Sequence, residues 1–310
     1  MRTAFIRSLI DLSRVNDRLF LVVGDLGFSV VEPFADEFPD RFLNVGVAEQ
    51  NMTGVAAGLA TEGYHVITYS IGNFPSLRCL EQVRNDVCYH KLPVTIVSVG
   101  AGFSYGNLGY SHHAVQDIAV MRAMPNMSVY SPADPRETVK CVAAIVAHPG
   151  PSYLRIGKSG EPVLYADLPE STIDIEGGPI EIHAGDGGLA IVATGSILSV
   201  AIDAAGRLAD QGMRAGVFSC PRLAPVDDSF LAALWRYDTL VTVEEHIVVG
   251  GLGSLIREHC PHRTRVIAAA IDGNLPHAVG TQDFLRGKHG LTGPRIAALC
   301  REAMDPRARS

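Results

Sequence analysis

Continuous apolar runs, separated by stretches of helical periodicity, set the plan of this chain. LFLVVGD (19–25), FLNVGVA (42–48), HVITYS (65–70), PVTIVSVG (93–100), MSVYSPAD (127–134) and PSYLRIG (151–157) read as strands. Most lack polar alternation, as strands of parallel sheets covered on both faces do. Residues 3–15 place Phe5, Ile6, Leu9, Ile10 and Leu12 at helical spacing, and further helices are expected from Glu49, over 77–90 and over 135–147. The alternation returns in the second half. Strands are expected at 188–195, 214–220, 239–246 and 264–271. Helices are expected at 197–211, at 227–236, after the GGLGS turn at 250–254, and over 281–287 or 293–303. Strands alternating with helices predict an α/β protein with mostly parallel sheets. Periodicity fades between the halves, where Pro162, Pro169 and Pro179 fall among glycines and acids. This predicts one domain at 1–165, a linker at 166–186 and a second domain at 187–310.

Composition agrees with that plan. The 310 residues suit two domains of roughly 150 residues each. At 47% hydrophobic and 19% charged, the chain can bury large cores. Its 33 acidic against 26 basic side chains argue against a nucleic-acid partner. The N-terminus carries acids early and lacks a signal peptide's apolar run. The longest stretch free of Asp, Glu, Lys and Arg runs from Leu92 to Gln116. It holds Pro93, several glycines and a His pair, and so reads as strand plus loop and not as a membrane span. The six cysteines are scattered without a CxxC pair, which points to a reduced, cytoplasmic interior. His259-Cys260-Pro261-His262 is too crowded for an ordinary zinc site, so no metal ligands are assigned.

Five segments carry candidate chemistry. NVGVAEQNMTGVAAGLA (44–60) puts Glu49 at the mouth of a helix rich in Gly and Ala, where an acid also complements the helix dipole. TYSIGNF (68–74) ends a strand. GAGFSYGNLGYSHHAVQD (100–117) sets a His pair on a glycine-rich loop, where no core requires it. GPSYLRIGKSG (150–160) ends a strand in a basic turn, and GDLGFS (24–29) ends the first strand.

These segments resemble the pyrimidine-binding domain of thiamine-diphosphate enzymes of the transketolase group, which includes 1-deoxyxylulose-5-phosphate synthase. ATGSILSVAIDAAGRLADQG and VEEHIVVGGLGSLI resemble that group's C-terminal domain. The resemblance implies two doubly wound, mostly parallel-sheet domains: a pyrimidine-binding thiamin-diphosphate fold and a transketolase C-terminal domain. It gives Glu49 the catalytic role of bonding the cofactor's aminopyrimidine ring. Val45, Val47 and Met52 are expected to form an apolar setting that raises its proton affinity. Glu49 could then share a proton with the ring nitrogen and so activate the thiazolium carbon. Phe74 takes the part of the aromatic packed on the ring, with Gly72 standing where relatives carry a first Phe. Asp25 and Leu26 are expected to line the cofactor pocket.

On the loop, His112 matches a catalytic histidine that contacts the donor's oxygens, and Ser111 matches a Thr. His113 stands for a Gln in the substrate site, and Leu108 for an acid. Lys158 stands for an Arg that grips a substrate phosphate or carboxylate, with Arg155 nearby. Lys can hold a phosphate but lacks the bidentate fork. The turn at Thr194, Gly195 and Ser196 looks like an anion site at a helix N-terminus. The C-terminal domain of these enzymes serves chiefly dimerisation and regulation, so catalysis is not placed there.

The family's metal-binding pattern, Gly-Asp-Gly followed downstream by paired Asn, is not matched. Gly185-Asp186-Gly187 occurs, but without the Asn pair. The resemblance therefore implies thiamine diphosphate shared with a partner, and Mg2+ held by that partner. The partner is expected to be an N-terminal diphosphate-binding transketolase subunit, in an α2β2 assembly. The implied reaction moves a two-carbon ketol unit from a ketose donor, a small sugar or sugar phosphate, to an aldehyde. A β-subunit of a 2-oxoacid dehydrogenase or decarboxylating synthase, and a non-catalytic scaffold, remain alternatives.

Overall fold

The computed structural model describes residues 1–158, 160–273 and 278–305. In the first half the chain runs α1 (Arg2–Ser13), β1 (Leu19–Val23), α2 (Glu32–Glu37), β2 (Phe42–Asn44), α3 (Glu49–Thr61), β3 (His65–Ile71) and α4 (Leu80–Gln82). It continues through β4 (Val94–Val99), α5 (Asp117–Arg122), β5 (Ser128–Tyr130), α6 (Pro135–Ala147) and β6 (Ser152–Ile156). The second half adds β7 (Ile180–His183), β8 (Leu189–Thr194), α7 (Leu198–Ala209), β9 (Gly216–Ser219), β10 (Arg222–Ala224) and β11 (Thr239–Ile247). It closes with α8 (Leu252–His259), β12 (Arg265–Ile271), α9 (Gln282–Lys288) and α10 (Gly293–Met304).

These strands form a seven-stranded sheet, β10-β5-β6-β4-β3-β1-β2, and a five-stranded sheet, β12-β11-β8-β9-β7. Every pairing is parallel except at two edges, where β10 and β7 run antiparallel to β5 and β9. The apolar runs explain the layers. All residues of β1, β4 and β8 are buried, as strands with helices on both faces must be. The α/β architecture with two mostly parallel sheets is the one expected from sequence. The halves are joined closely. β10 belongs to the second half by sequence yet extends the first sheet, and both apolar cores draw residues from each half.

Several elements differ from the sequence reading. The helix expected over 77–90 becomes a 3-10 turn (Leu77–Cys79), the single turn α4 and a π-helical stretch (Val83–Cys88). Wide turns of this kind often accompany functional sites. The helix expected at 227–236 is reduced to a 3-10 segment, Ala232–Arg236. Upstream of it the Asp227 carboxylate accepts hydrogen bonds from the Phe230 N–H and the Ser229 hydroxyl, a local turn that competes with helix. The strand expected over 42–48 stops at Asn44, whose Oδ1 accepts from the Gly46 N–H at 2.9 Å. Within the expected linker, Ile180–His183 pairs with β9 as an edge strand. Both alternatives for the final helix are realised, as α9 and α10.

One consequence of the strand order matters for function. β4, β3, β1 and β2 are neighbours and parallel. Their carboxyl ends therefore bring the segments after Val23, Asn44, Ile71 and Val99 to a single edge, where open α/β sheets place their ligands.

Candidate active site

Glu49 opens α3 at that edge and is 1% exposed. The helix is held down by Met52, Thr53, Ala56, Ala57 and Ala60, all buried at helical spacing. The Glu49 carboxylate is bonded at both oxygens. Ser70, at the end of β3, donates to Oε1 at 3.1 Å, and Arg78 Nη1 donates to Oε2 at 2.8 Å. The expected apolar cage is thus corrected. Val47 is 74% exposed, Val45 is only partly buried, and of the three residues only Met52 is fully covered. A hydroxyl and a guanidinium face the carboxylate directly.

Phe74 follows three residues after β3 ends and is half-buried. The Arg78 guanidinium carbon lies 4.4 Å from its ring centroid, and the His112 ring meets it edge-on at 5.2 Å. Gly72 has φ +42° and donates its N–H to the Val99 carbonyl at 2.7 Å. This left-handed turn lets the Phe74 segment fold back over the end of β4.

His112 sits on a loop closed at its base by the antiparallel bridge Gly102–Ala114. Asn73 ties this loop to Phe74, donating from Nδ2 to the Ser111 and His113 carbonyls at 3.3 and 3.0 Å. His112 Nδ1 lies 3.0 Å from Ser111 Oγ. Partial burial, and secondarily the neighbouring His113, lower the His112 pKa, which favours the neutral imidazole.

The other expected site residues divide into two groups. Asp25 lies on the rim with φ 56°, exchanging hydrogen bonds with Asn44: its N–H reaches Asn44 Oδ1 at 3.1 Å, and its Oδ1 accepts from Asn44 Nδ2 at 3.0 Å. Leu26 beside it is half-buried. Lys158 is exposed and lines a cleft of about 330 Å³ between the halves, with Ser196, Gln282 and Arg286.

His113 and Arg155 are turned away from the substrate contact expected of them. His113 is 3% exposed, within reach of the Gly106 carbonyl at 3.2 Å and edge-on to Phe103. Arg155 is 2% exposed and bonded to Asp117 Oδ2 at 2.8 Å and to the Ala114 and Glu245 carbonyls at 2.7 and 3.0 Å. Both hold the loop from inside. The anion-like turn at Ser196 already meets a cation of the chain, Arg286 Nη2, at 3.1 Å.

Sequence reading missed Ser70, Asn73 and Arg78. Arg78 left no signal, because Phe74 precedes the expected helix and the two residues meet only through the irregular turns after β3. It also missed Glu245, whose buried carboxylate accepts from the Phe103 N–H at 2.5 Å, from Gln282 and from Arg286.

The arrangement suits the pyrimidine half of thiamine diphosphate. A buried carboxylate and a partly open aromatic face are the acceptor and the stacking platform such a ring requires. The buried Asn73 Oδ1, without a hydrogen-bond partner, adds an unused acceptor beside them. The diphosphate half has no such seat at Gly185-Asp186-Gly187, a tight turn in which Asp186 Oδ1 accepts from the Gly188 N–H. A Cβ at Gly185 would lie 2.3 Å from the Gly216 nitrogen. Among the described residues, no group of three His, Cys, Asp or Glu could hold a metal ion.

Comparison with known proteins follows the two halves. Residues 1–161 match the family model for the transketolase pyrimidine-binding domain, and residues 178–271 match the transketolase C-terminal domain. The chain is 36% identical over 308 residues to a putative transketolase C-terminal section of Methanocaldococcus jannaschii, covering 98% of this chain and 96% of that protein. It is 33% identical to one of the subunits of an apulose-4-phosphate transketolase of Actinobacillus succinogenes, with 91% of each covered. Among solved structures it resembles a split-gene transketolase described as an inactive beta4 tetramer, with a TM-score of 0.83 and 34% identity over 98% of this chain and 97% of that one.

Proposed function

The chain belongs to the transketolase family, and from that premise we propose that it supplies the pyrimidine side of a thiamine-diphosphate site completed by a second subunit. It is a transketolase-like transferase subunit corresponding to the pyrimidine-binding and C-terminal domains. One observation carries the reading: a buried Glu49, an aromatic Phe74 and His112 converge at the carboxyl edge of the first sheet.

In this reading the division 1–165, 166–186 and 187–310 assigns the site to the first domain. Ser70 fixes Glu49 Oε1, so Oε2 is the oxygen that would be offered to the ring nitrogen to share its proton. Phe74 would orient the ring by stacking. The cofactor, when bound, supplies the electron sink that lets the donor's carbon–carbon bond break and the new one form. His112, its pKa lowered by partial burial and its ring aligned by Ser111, donates to or accepts from the substrate oxygens. Lys158 receives an anionic substrate end. Asp25 and Leu26 line the mouth. The reaction proposed is transfer of a two-carbon ketol unit between a ketose and an aldehyde.

The partner is a diphosphate-binding transketolase subunit that also holds Mg2+, in an α2β2 assembly. Two relatives support it, one named as a transketolase subunit and one as a C-terminal section, each covered over nine-tenths of its length. So does the outward face around the site. Phe28 and Val47 are each 74% exposed there, and Gly54 and Gly58 on α3 have nothing within 4 Å of a Cβ placed on them. Cytoplasmic residence is proposed from the free thiols of all six cysteines. Among the described residues, no helix is long and apolar enough to cross a membrane.

The test is co-purification with a diphosphate-domain subunit, followed by thiamine-diphosphate titration of each chain alone and of the mixture. Tight binding in the mixture alone is expected, and Glu49→Gln should lower turnover by at least roughly a hundredfold. Tight binding by the lone chain, or near wild-type turnover of Glu49→Gln, refutes the proposal.

A further inference from the structure

Arg78 has no part in the function just described, yet it occupies the centre of the site. Its guanidinium does two things at once. Nη1 donates to Glu49 Oε2 at 2.8 Å, and the guanidinium carbon lies 4.4 Å from the Phe74 ring centroid. A flat, delocalised N–H donor stacked on an aromatic ring and bonded to a carboxylate is what an aminopyrimidine would be in the same place. Ser70 holds the other carboxylate oxygen, so ring and guanidinium would compete for Oε2.

We propose that Arg78 is a stand-in for the cofactor's pyrimidine: it fills the ring's place on Glu49 and Phe74 in the chain alone and swings out when the cofactor enters. The inference rests on the function proposed above. Burial supports the direction of movement. Glu49 is 1% exposed at its side chain and fixed on α3, whereas Arg78 is 46% exposed on a flexible stem. The cation can leave and rehydrate at low cost. The acid cannot, and without a cation or a ligand it would face the interior with Ser70 alone. Arg78 thus keeps the lone subunit's carboxylate satisfied. It also lowers the apparent affinity for the ring in proportion to the time it spends in place.

The test measures binding of hydroxymethylpyrimidine, the pyrimidine half of thiamine, to the full chain by calorimetry. The same variants are titrated with thiamine diphosphate in complex with the partner subunit. Arg78→Met should bind roughly tenfold tighter than wild type in either titration. Arg78→Lys, which keeps the charge but cannot stack as a plane, should fall between them. The gain should vanish on a Glu49→Gln background, where there is no charge for Arg78 to hold. Equal or weaker binding by Arg78→Met overturns the inference, because Arg78 then assists the ligand instead of competing with it. A wild-type complex that takes up no thiamine diphosphate overturns the functional reading, and this inference with it. Normal uptake with no gain in Arg78→Met overturns this inference alone.

Discussion

Replacing Arg155 by Met removes the cation at the junction of the two sheets while nearly keeping its volume. Arg155 and Asp117 are 2% and 0% exposed at their side chains and meet at 2.8 Å. Asp117 Oδ2 also accepts from the Tyr153 hydroxyl at 2.6 Å, while Asp117 Oδ1 has no partner. Arg155 further bonds the carbonyls of Ala114, at the base of the His112 loop, and Glu245, on β11. In Arg155→Met the Asp117 carboxylate keeps a single donor in the interior, and two buried carbonyls lose theirs. Breaking a buried pair in this one-sided way costs about 3–5 kcal/mol. For domains of this size that corresponds to a fall of roughly 10 °C in Tm. Urea unfolding followed by circular dichroism measures the cost. Asp117→Asn on the same background should recover part of it, because the stranded charge is gone. A loss below about 1 kcal/mol would refute the reasoning, since that is the worth of a solvated pair.

Two further changes probe the fold and its outer face. Burial pushes the Glu137 carboxyl up from 4.5 to about 7. The folded state therefore favours its neutral form, and this contribution is complete below about pH 4.5 and lost as pH rises through about 7. Glu137→Gln stays neutral, so relative to wild type it should gain about 2 kcal/mol in urea stability between pH 5 and pH 8. An offset unchanged over that range would show that Glu137 does not titrate there. Gly58→Ala places a methyl on α3 with nothing within 4 Å of it. It should stabilise the lone chain by up to about 1 kcal/mol in thermal melts and weaken partner association measured by calorimetry. Unchanged association would place the partner elsewhere.

Sequence alone carried the architecture well, because parallel strands covered on both faces leave long apolar runs such as Leu19–Val23 and Val94–Val99. It failed at Asp227, where a local side-chain bond outcompetes periodicity, and along the irregular helix after Leu77. Glu49, Phe74 and His112 could be singled out as candidates because a motif marks each of them. Their surroundings were not. That Glu49 faces Arg78 rather than Val47 depends on how the turn after Phe74 folds back, which no apolar pattern encodes. Burial was equally hidden for the His pair. His112 and His113 are adjacent in sequence, yet one edges Phe74 while the other packs against Phe103.

The C-terminal half lines the Lys158 cleft with Ser196, Gln282 and Arg286, and it also shapes the loop that carries His112. β11 grips both strands at the base of the His112 loop. Glu245 Oε1 accepts from the Phe103 N–H, the Ile247 N–H donates to the Val115 carbonyl at 2.9 Å, and Arg155 links the Ala114 and Glu245 carbonyls. Glu245 is in turn held by Arg286 and Gln282 of α9. Contact there is so close that a Cβ at Gly102 would lie 2.6 Å from the Glu245 side chain, at a residue whose φ is +60°. The two groups expected to act together are therefore supported from opposite sides. Glu49 is set by α3 and β3 of the first sheet. The base of the loop carrying His112 is set by β11 of the second, and Asn73 is the link that ties its tip to the Phe74 segment. A domain expected to serve chiefly dimerisation and regulation thus also braces the loop that carries His112.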